Sequence, residues 1–461
     1  MAFDLHIKNI GKLTDAKLRI GRFTVLAGPN NTGKSFVSKI LYSLLNSMNA
    51  NHAEVVLHAL TDRIRREHDR LRSAMSEKVR TSSPYTDMED TIREMEALAA
   101  EQSSDNFAEI DRFIANISNM AKELPELLLK IRLSVVKQRP RPAGSLLKDF
   151  EKSLVRLQEF FDGMTAEKLT RASIDLRTKE NLTRNFQIVE STLLRGNKEG
   201  ESRFSIPETV EFNLASSDSM FAIRSFDFQK LKRYSKVIYL ESLMLWKLKD
   251  ALEARRLSDQ HWRTRREYLD GIPEYFYDLA SALRSEDTRD MDFPELHAKL
   301  TGKNVLGGKL VISDADQSDA GEILFRENDQ NIPRALTATS VINLGILAFL
   351  IERRILNKDS FVFMDGPEAN LHPAWQVVMA ESLFDLAKGG AHVVIATHSI
   401  DILKWLEVHA KKNPKDKDLI ELNQFSAHGV EDGSRDFFDE KMAHILKELT
   451  DPFAKNFIAG I

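Results

Sequence analysis

A glycine-framed loop set between an apolar run and a helical pattern constrains this chain more than any other feature. Phe23 to Leu26 is apolar, and Ser35 to Leu45 has helical spacing at Val37, Ile40, Leu41 and Leu44. Between them, Gly28-Pro29-Asn30-Asn31-Thr32-Gly33-Lys34-Ser35 matches the phosphate-loop pattern GxxxxGK(S/T). In that arrangement the glycines let successive backbone N–H groups wrap phosphate oxygens. Lys34 then reaches the terminal phosphates, Ser35 offers its hydroxyl to Mg2+, and the helix adds the positive end of its dipole. A glycine loop without a ligand is the plainer alternative, and the position between strand and helix argues against it.

A second constellation lies late in the chain. Phe361-Val362-Phe363-Met364-Asp365 is an apolar strand ending in a carboxylate, suited to a second Mg2+ ligand. Gly366-Pro367-Glu368-Ala369-Asn370-Leu371-His372-Pro373 leads from it into a helix, and a second apolar run, His392 to Ile395, ends at Thr397-His398-Ser399. Continuous apolar runs of this length suit central parallel strands covered on both faces. Polar groups at their C-terminal ends stand where open parallel sheets bind ligands.

Taken together, AGPNNTGKS, FMDGPEANLHP and IATHS resemble the ABC-type ATPases of the overcoming-lysogenization-defect (OLD) family and their SMC/Rad50-like relatives, over about residues 1–50 and 200–410. The resemblance implies an α/β fold: an ABC-type P-loop head with a mixed sheet, interrupted by a helical or coiled-coil insert. It implies that ATP and Mg2+ are held by Lys34, Ser35 and Asp365, with His398 as the switch histidine on the γ-phosphate. It also supplies a signature segment, Ala338 to Gly345, whose Ser340 touches the ATP of an opposing head. Helix N-capping is the plainer reading of Ser340. This chain has Val341 where the family has glycine, and Asp365-Gly366 where the family has two acids. The water-polarising carboxylate is therefore missing and slow hydrolysis is expected; Glu368, which relatives also carry beside a complete pair, reads as structural, with a role as replacement base as the alternative.

The rest of the chain sets the frame. Its 461 residues exceed one compact core. With 42% apolar residues, 13 Pro and 20 Gly, the sequence reads as globular and helix-rich. Residues 52–198 change to charged helix, with Leu57, Leu60, Ile64, Leu71 and Met75 forming a coiled-coil-like seam through His68. A helix over 54–80 would be about 40 Å long. The expected division is 1–51 and 199–410 for the head, 52–198 for the insert and 411–461 for a C-terminal tail. Arg63, Arg65, Arg66, Arg70 and Arg72 are interleaved with acids and read as a solvated helix face, as do Arg263, Arg265 and Arg266. Tyr275, Phe276 and Tyr277 read as core.

Lys and Arg number 65 against 69 Asp and Glu, a formal charge of −4, so the surface as a whole does not attract nucleic acid. There is no cysteine, which excludes disulfides, thiolate metal sites and cysteine nucleophiles. MAFDLHIKNI has no secretory pattern, and no apolar run approaches the ~20 residues that span a bilayer, so a cytoplasmic protein without membrane contact is expected.

Enzymes of the OLD nuclease type carry a Toprim domain after the head, and too little sequence follows His398 for one of the usual size. The expected partners are therefore a second copy, as a head-to-head dimer or larger ring, and a separate effector such as a Toprim nuclease or toxin, with a phage-derived trigger. The resemblance here is to ATPase subunits of two-gene anti-phage systems of the PARIS and Septu kinds. A DNA-repair or DNA-structuring ATPase with a short Rad50-like arm is the alternative, and DNA as a partner stays open.

Overall fold

The computed structural model describes residues 2–102, 106–135, 144–188, 194, 196, 201–214, 221–227, 234, 236–241, 272–284, 290–312, 323–333, 336–426, 429–430 and 438–458. The expectation for Arg263, Arg265 and Arg266 falls outside them. The chain forms two compact units, Met1–Asn49 with Lys179–Ile461, and Ala50–Thr178.

The first unit is built on sheets. Strands β1 (Phe3–Ile10) and β2 (Leu13–Ile20) alternate buried and exposed residues and pair antiparallel. With β4 (Ser202–Ile206), β5 (Val210–Leu214) and β6 (Phe221–Phe226) they make a five-stranded sheet in the order β2-β1-β4-β5-β6. The larger sheet holds β3 (Phe23–Ala27), β7 (Val237–Glu241), β11 (Phe361–Asp365), β12 (His392–Thr397), β13 (Ile420–Ser426) and β14 (Gly429–Val430), in the order β14-β13-β3-β12-β11-β7. Every pair in it is parallel except β13 with β14. All residues of β3 and β12 are buried, as two-sided coverage demands. A third sheet, β10-β9-β8, comprises β8 (Lys309–Ile312), β9 (Ile323–Glu327) and β10 (Gln330–Pro333). Both strand pairs in it are antiparallel.

Residues 411–461 were expected as a tail, and that expectation is corrected. Strand β13 lies inside the main sheet beside β3, with Leu422 opposite Val25 and Gln424 opposite Ala27. Its polar residues are buried with partners: Asn423 accepts from Arg19 N at 3.0 Å and donates to Arg19 O at 2.9 Å.

The second unit is helical. It holds α2 (His52–Ala74), α3 (Glu77–Arg80), α4 (Ser83–Glu101), α5 (Phe107–Val135), α6 (Gly144–Phe161) and the first part of α7 (Ala166–Asn185). The seam through Leu57, Ile64 and Leu71 is not a two-stranded coiled coil. Helix α2 packs on α4 and α6, and α5 packs on the same two, so the seam enters a bundle core with Met88, Ile117, Leu124 and Phe150. A single helix over 54–80 does not form, because the chain turns extended at Met75 and restarts after Ser76. Arg65 pairs with Glu96 and Arg72 with Glu89, as a solvated, ion-paired face should. The last turns of α7 belong to the first unit. There Asn181 donates to Ser43 O and Ser47 Oγ, and Asn185 to Ser43 Oγ, all on α1 (Lys34–Met48).

Among the described residues, the remaining helices of the first unit are α8 (Glu274–Arg284), α9 (Pro294–Thr301), α10 (Thr339–Glu352), α11 (Pro373–Lys388), α12 (Ile400–Lys412) and α13 (Phe438–Ile458). Helix α1 packs on β7, β11 and β12, and α11 on β12. Tyr275, Phe276 and Tyr277 are buried, as expected of core residues.

Candidate functional site

Strand β3 delivers the glycine loop at the C-terminal edge of the main sheet. Gly28 has φ +149°, and a Cβ there would stand 1.9 Å from Phe425 O at the end of β13. Only glycine fits. Thr32 Oγ1 donates to Pro29 O at 2.9 Å and pins the loop, while Asn30 and Asn31 are exposed at its crest. Asn31 has φ +64°, and its carbonyl accepts from Lys12 Nζ at 3.4 Å. Gly33 caps α1, so the N–H groups of the first turn of α1 open into the loop.

Lys34 is buried, and its ammonium donates to Gly28 O at 2.8 Å and Pro29 O at 2.5 Å. Burial lowers its pKa, opposed by the carboxylates of Glu368, Asp365 and Glu448. Ser35 Oγ donates to Asp365 Oδ1 at 3.0 Å, and Tyr239 Oη donates to Asp365 Oδ2 at 3.0 Å. Burial raises the Asp365 pKa even so, with Ser35, Tyr239 and Lys39 pulling it down and Glu241 pushing it up. A hydroxyl and a carboxylate this close form the hard oxygen donor pair that Mg2+ prefers. An ammonium resting on loop carbonyls is positioned to exchange them for phosphate oxygens. The residues present therefore fit a Mg2+-nucleotide.

Glu368 and His398 come together from two strand ends. Glu368 is buried, and its Oε2 accepts from Thr397 Oγ1 at 2.8 Å. Its Oε1 accepts from His398 N at 3.1 Å and lies 3.0 Å from His398 Nδ1. The His398 side chain is 51% exposed, so the ring is held on one side and open on the other. Ser399 Oγ donates to Gln376 Oε1 at 2.7 Å and accepts from Ile402 N, capping α12. Pro29, Asn30, Glu368, Gln376, His398 and Leu449 line an open cleft of ≈ 390 Å³.

Gly366, where relatives place the second acid, has φ +67°, and its amide donates to Ala396 O at 2.9 Å. Ser340 is not among the cleft residues. It lies in the first turn of α10, whose N-cap is Ala338 with no side-chain cap, so the N-capping reading of Ser340 does not hold. Asn343, one turn on, donates to Ala369 O at 3.1 Å and ties α10 to the loop that carries Glu368.

Sequence reasoning missed Tyr239, Gln376 and Leu449. Tyr239 carried the one readable signal, since a tyrosine inside a buried strand requires a partner for its hydroxyl.

A glycine loop feeding a helix from a largely parallel sheet, with a serine and a strand-end aspartate meeting across it, defines an α/β P-loop ATPase head. The chain matches the AAA ATPase domain over residues 3–403 and belongs to that family. Among solved structures it is similar to an Smc head bound to the C-winged helix domain of ScpA, at 13% identity over 93% of this chain and 96% of that one, with a TM-score of 0.35. It is also similar to an Smc head domain with an extended coiled coil bound to the C-terminal domain of ScpA from Pyrococcus furiosus, at 11% identity over 94% and 96%, with a TM-score of 0.29. No curated protein matches the chain. Among the described residues, no helix is long and apolar enough to cross a membrane.

Proposed function

We propose that the chain is an ATP-driven clamp in which Lys34, Ser35 and Asp365 hold Mg2+-ATP and two heads pair around it. The observation that carries this reading is the Ser35–Asp365 contact, with Lys34 buried beside it. His398, steadied by Glu368, senses the terminal phosphate, and the Asn343–Ala369 bond links that dyad to the helix bearing Ser340. Because both oxygens of Glu368 are engaged and Gly366 has no side chain, ATP acts mainly as a conformational ligand and turnover is slow.

In this reading the paired heads hold a separate effector, a nuclease such as a Toprim enzyme or a toxin, and release it on a phage-derived trigger. The helical unit supports such a role by exposing Leu129, Leu133 and Val155 on α5 and α6. Lys34→Ala tests the core claim, since the loop N–H groups do not replace the ammonium as the point charge on the β- and γ-phosphates. ATP binding should be lost. Wild-type affinity in this variant, measured by calorimetry, would remove the assignment.

A further inference from the structure

A second recess opens beside Ser35 and shares no lining residue with the cleft of His398 and Leu449. It has a volume of ≈ 300 Å³ and is walled by Phe36 and Lys39 of α1, by Asn185, Phe186 and Gln187 at the end of α7, and by Tyr275 of α8. Ser35 belongs to both the phosphate loop and this recess. A nucleotide whose phosphates lie on the N–H groups of the loop and first helical turn leads past Phe36, so its nucleoside emerges there.

The wall chemistry suits a flat heterocycle. Phe36 and Phe186 pack in a tilted contact, with centroids 4.6 Å apart and planes at 50°, and both remain half-buried, so each ring keeps some surface towards solvent. Gln187 has φ +54°, a left-handed conformation at a helix end that usually falls to glycine or asparagine. The backbone around it is satisfied, with Gln187 N donating to Arg184 O and Ile188 N to Thr183 O. Its side chain is exposed and makes no hydrogen bond among the described residues. The neighbouring Asn185 amide is already engaged at both ends, donating to Ser43 Oγ and accepting from Tyr275 N. A free carboxamide offers one donor and one acceptor side by side, the pairing that matches the amino group and ring nitrogen of adenine.

We propose that this recess receives the nucleoside half of the nucleotide, with Phe186 stacking on the purine face and Gln187 selecting adenine by its edge. The assignment rests on the phosphate-loop reading above and adds to it the residues that recognise the base.

The test compares binding of ATP, GTP and inorganic tripolyphosphate by calorimetry, with thermal unfolding of each variant as the folding control. Phe186→Ala should weaken ATP by about 5- to 150-fold, the range of one base–aromatic stack, and leave tripolyphosphate unchanged. Phe186→Leu keeps apolar volume without a stacking face and should show the same split. Gln187→Gly relieves the left-handed backbone, so it should fold at least as well as the wild type, yet bind ATP and GTP equally. Wild-type ATP affinity in Phe186→Leu, together with unchanged selectivity in Gln187→Gly, overturns the assignment while the phosphate site stands. A wild-type protein that binds neither ATP nor tripolyphosphate overturns the phosphate-loop reading first, and this one with it.

Discussion

Asp365 and Gly366 stand side by side, and each is held in a state that opposes stability. Burial raises the Asp365 pKa, so the charged carboxylate is less favoured in the folded protein than in the unfolded chain. For a raised carboxyl the favourable contribution is present at acid pH and is lost as pH rises through the folded value, which leaves a destabilising charge at neutral pH. Asp365→Asn should therefore stabilise the nucleotide-free protein at neutral pH by on the order of 1 kcal/mol. The gain should shrink at acid pH, where Asp365 itself is neutral, and Mg2+-ATP should no longer raise the unfolding midpoint. Thermal unfolding with and without Mg2+-ATP checks both halves, and a variant less stable at pH 7 contradicts the sign. Gly366→Glu puts a carboxylate where relatives have one. The space exists, since the nearest neighbour of its Cβ is Ala369 Cβ at 4.0 Å, but φ +67° costs a side chain roughly 1–2 kcal/mol. Single-turnover hydrolysis should rise at least about tenfold, short of the ~10²–10⁴ of a well-placed base. Brisk wild-type hydrolysis that Glu368→Gln stops would instead make Glu368 the base.

At the scale of elements, the local pattern revealed what neighbours in sequence decide. The loop from Gly28 to Ser35, the strand ending at Asp365 and the strand ending at Thr397 were legible because their chemistry fixes spacing within a few residues. Strand β13 was not legible. Glu421, Asn423 and Gln424 interrupt its apolar pattern, and each is buried with distant partners: Asn423 with Arg19, and Gln424 with His444 and Glu448. Such pairing is a tertiary fact that no window of sequence shows, and it is why Gly28 faces Phe425. Helix α5 runs through Pro125 to Val135, because Leu128, Ile131 and Val135 extend its buried stripe past the proline. An internal proline costs a helix ~3 kcal/mol. Pro125→Ala should raise the unfolding midpoint, and an unchanged or lower midpoint would mean that the bundle is built around the proline.

For the whole molecule, the central question is whether Ser340 acts on its own head or on another. Ser340 is half-buried, its side chain makes no hydrogen bond among the described residues, and it lies outside the cleft of its own chain. The first turn of α10 has an alanine N-cap, so its N–H groups and dipole remain available to an anion. Ser340→Arg should fold within about 0.5 kcal/mol of the wild type, as surface changes do, and bind ATP within its own head. It should lose ATP-dependent assembly, read by sedimentation velocity with and without Mg2+-ATP. A mixture with Lys34→Ala separates the two arrangements. If Ser340 works across the pair, the Lys34→Ala head lends its intact serine to the ATP held by the Ser340→Arg head. One of the two composite sites is then complete, and assembly partly returns. If Ser340 works within its own head, both heads in the mixture are defective and assembly stays absent. Partial recovery on mixing two inactive variants is the expected result, and its absence would place Ser340 outside any trans contact.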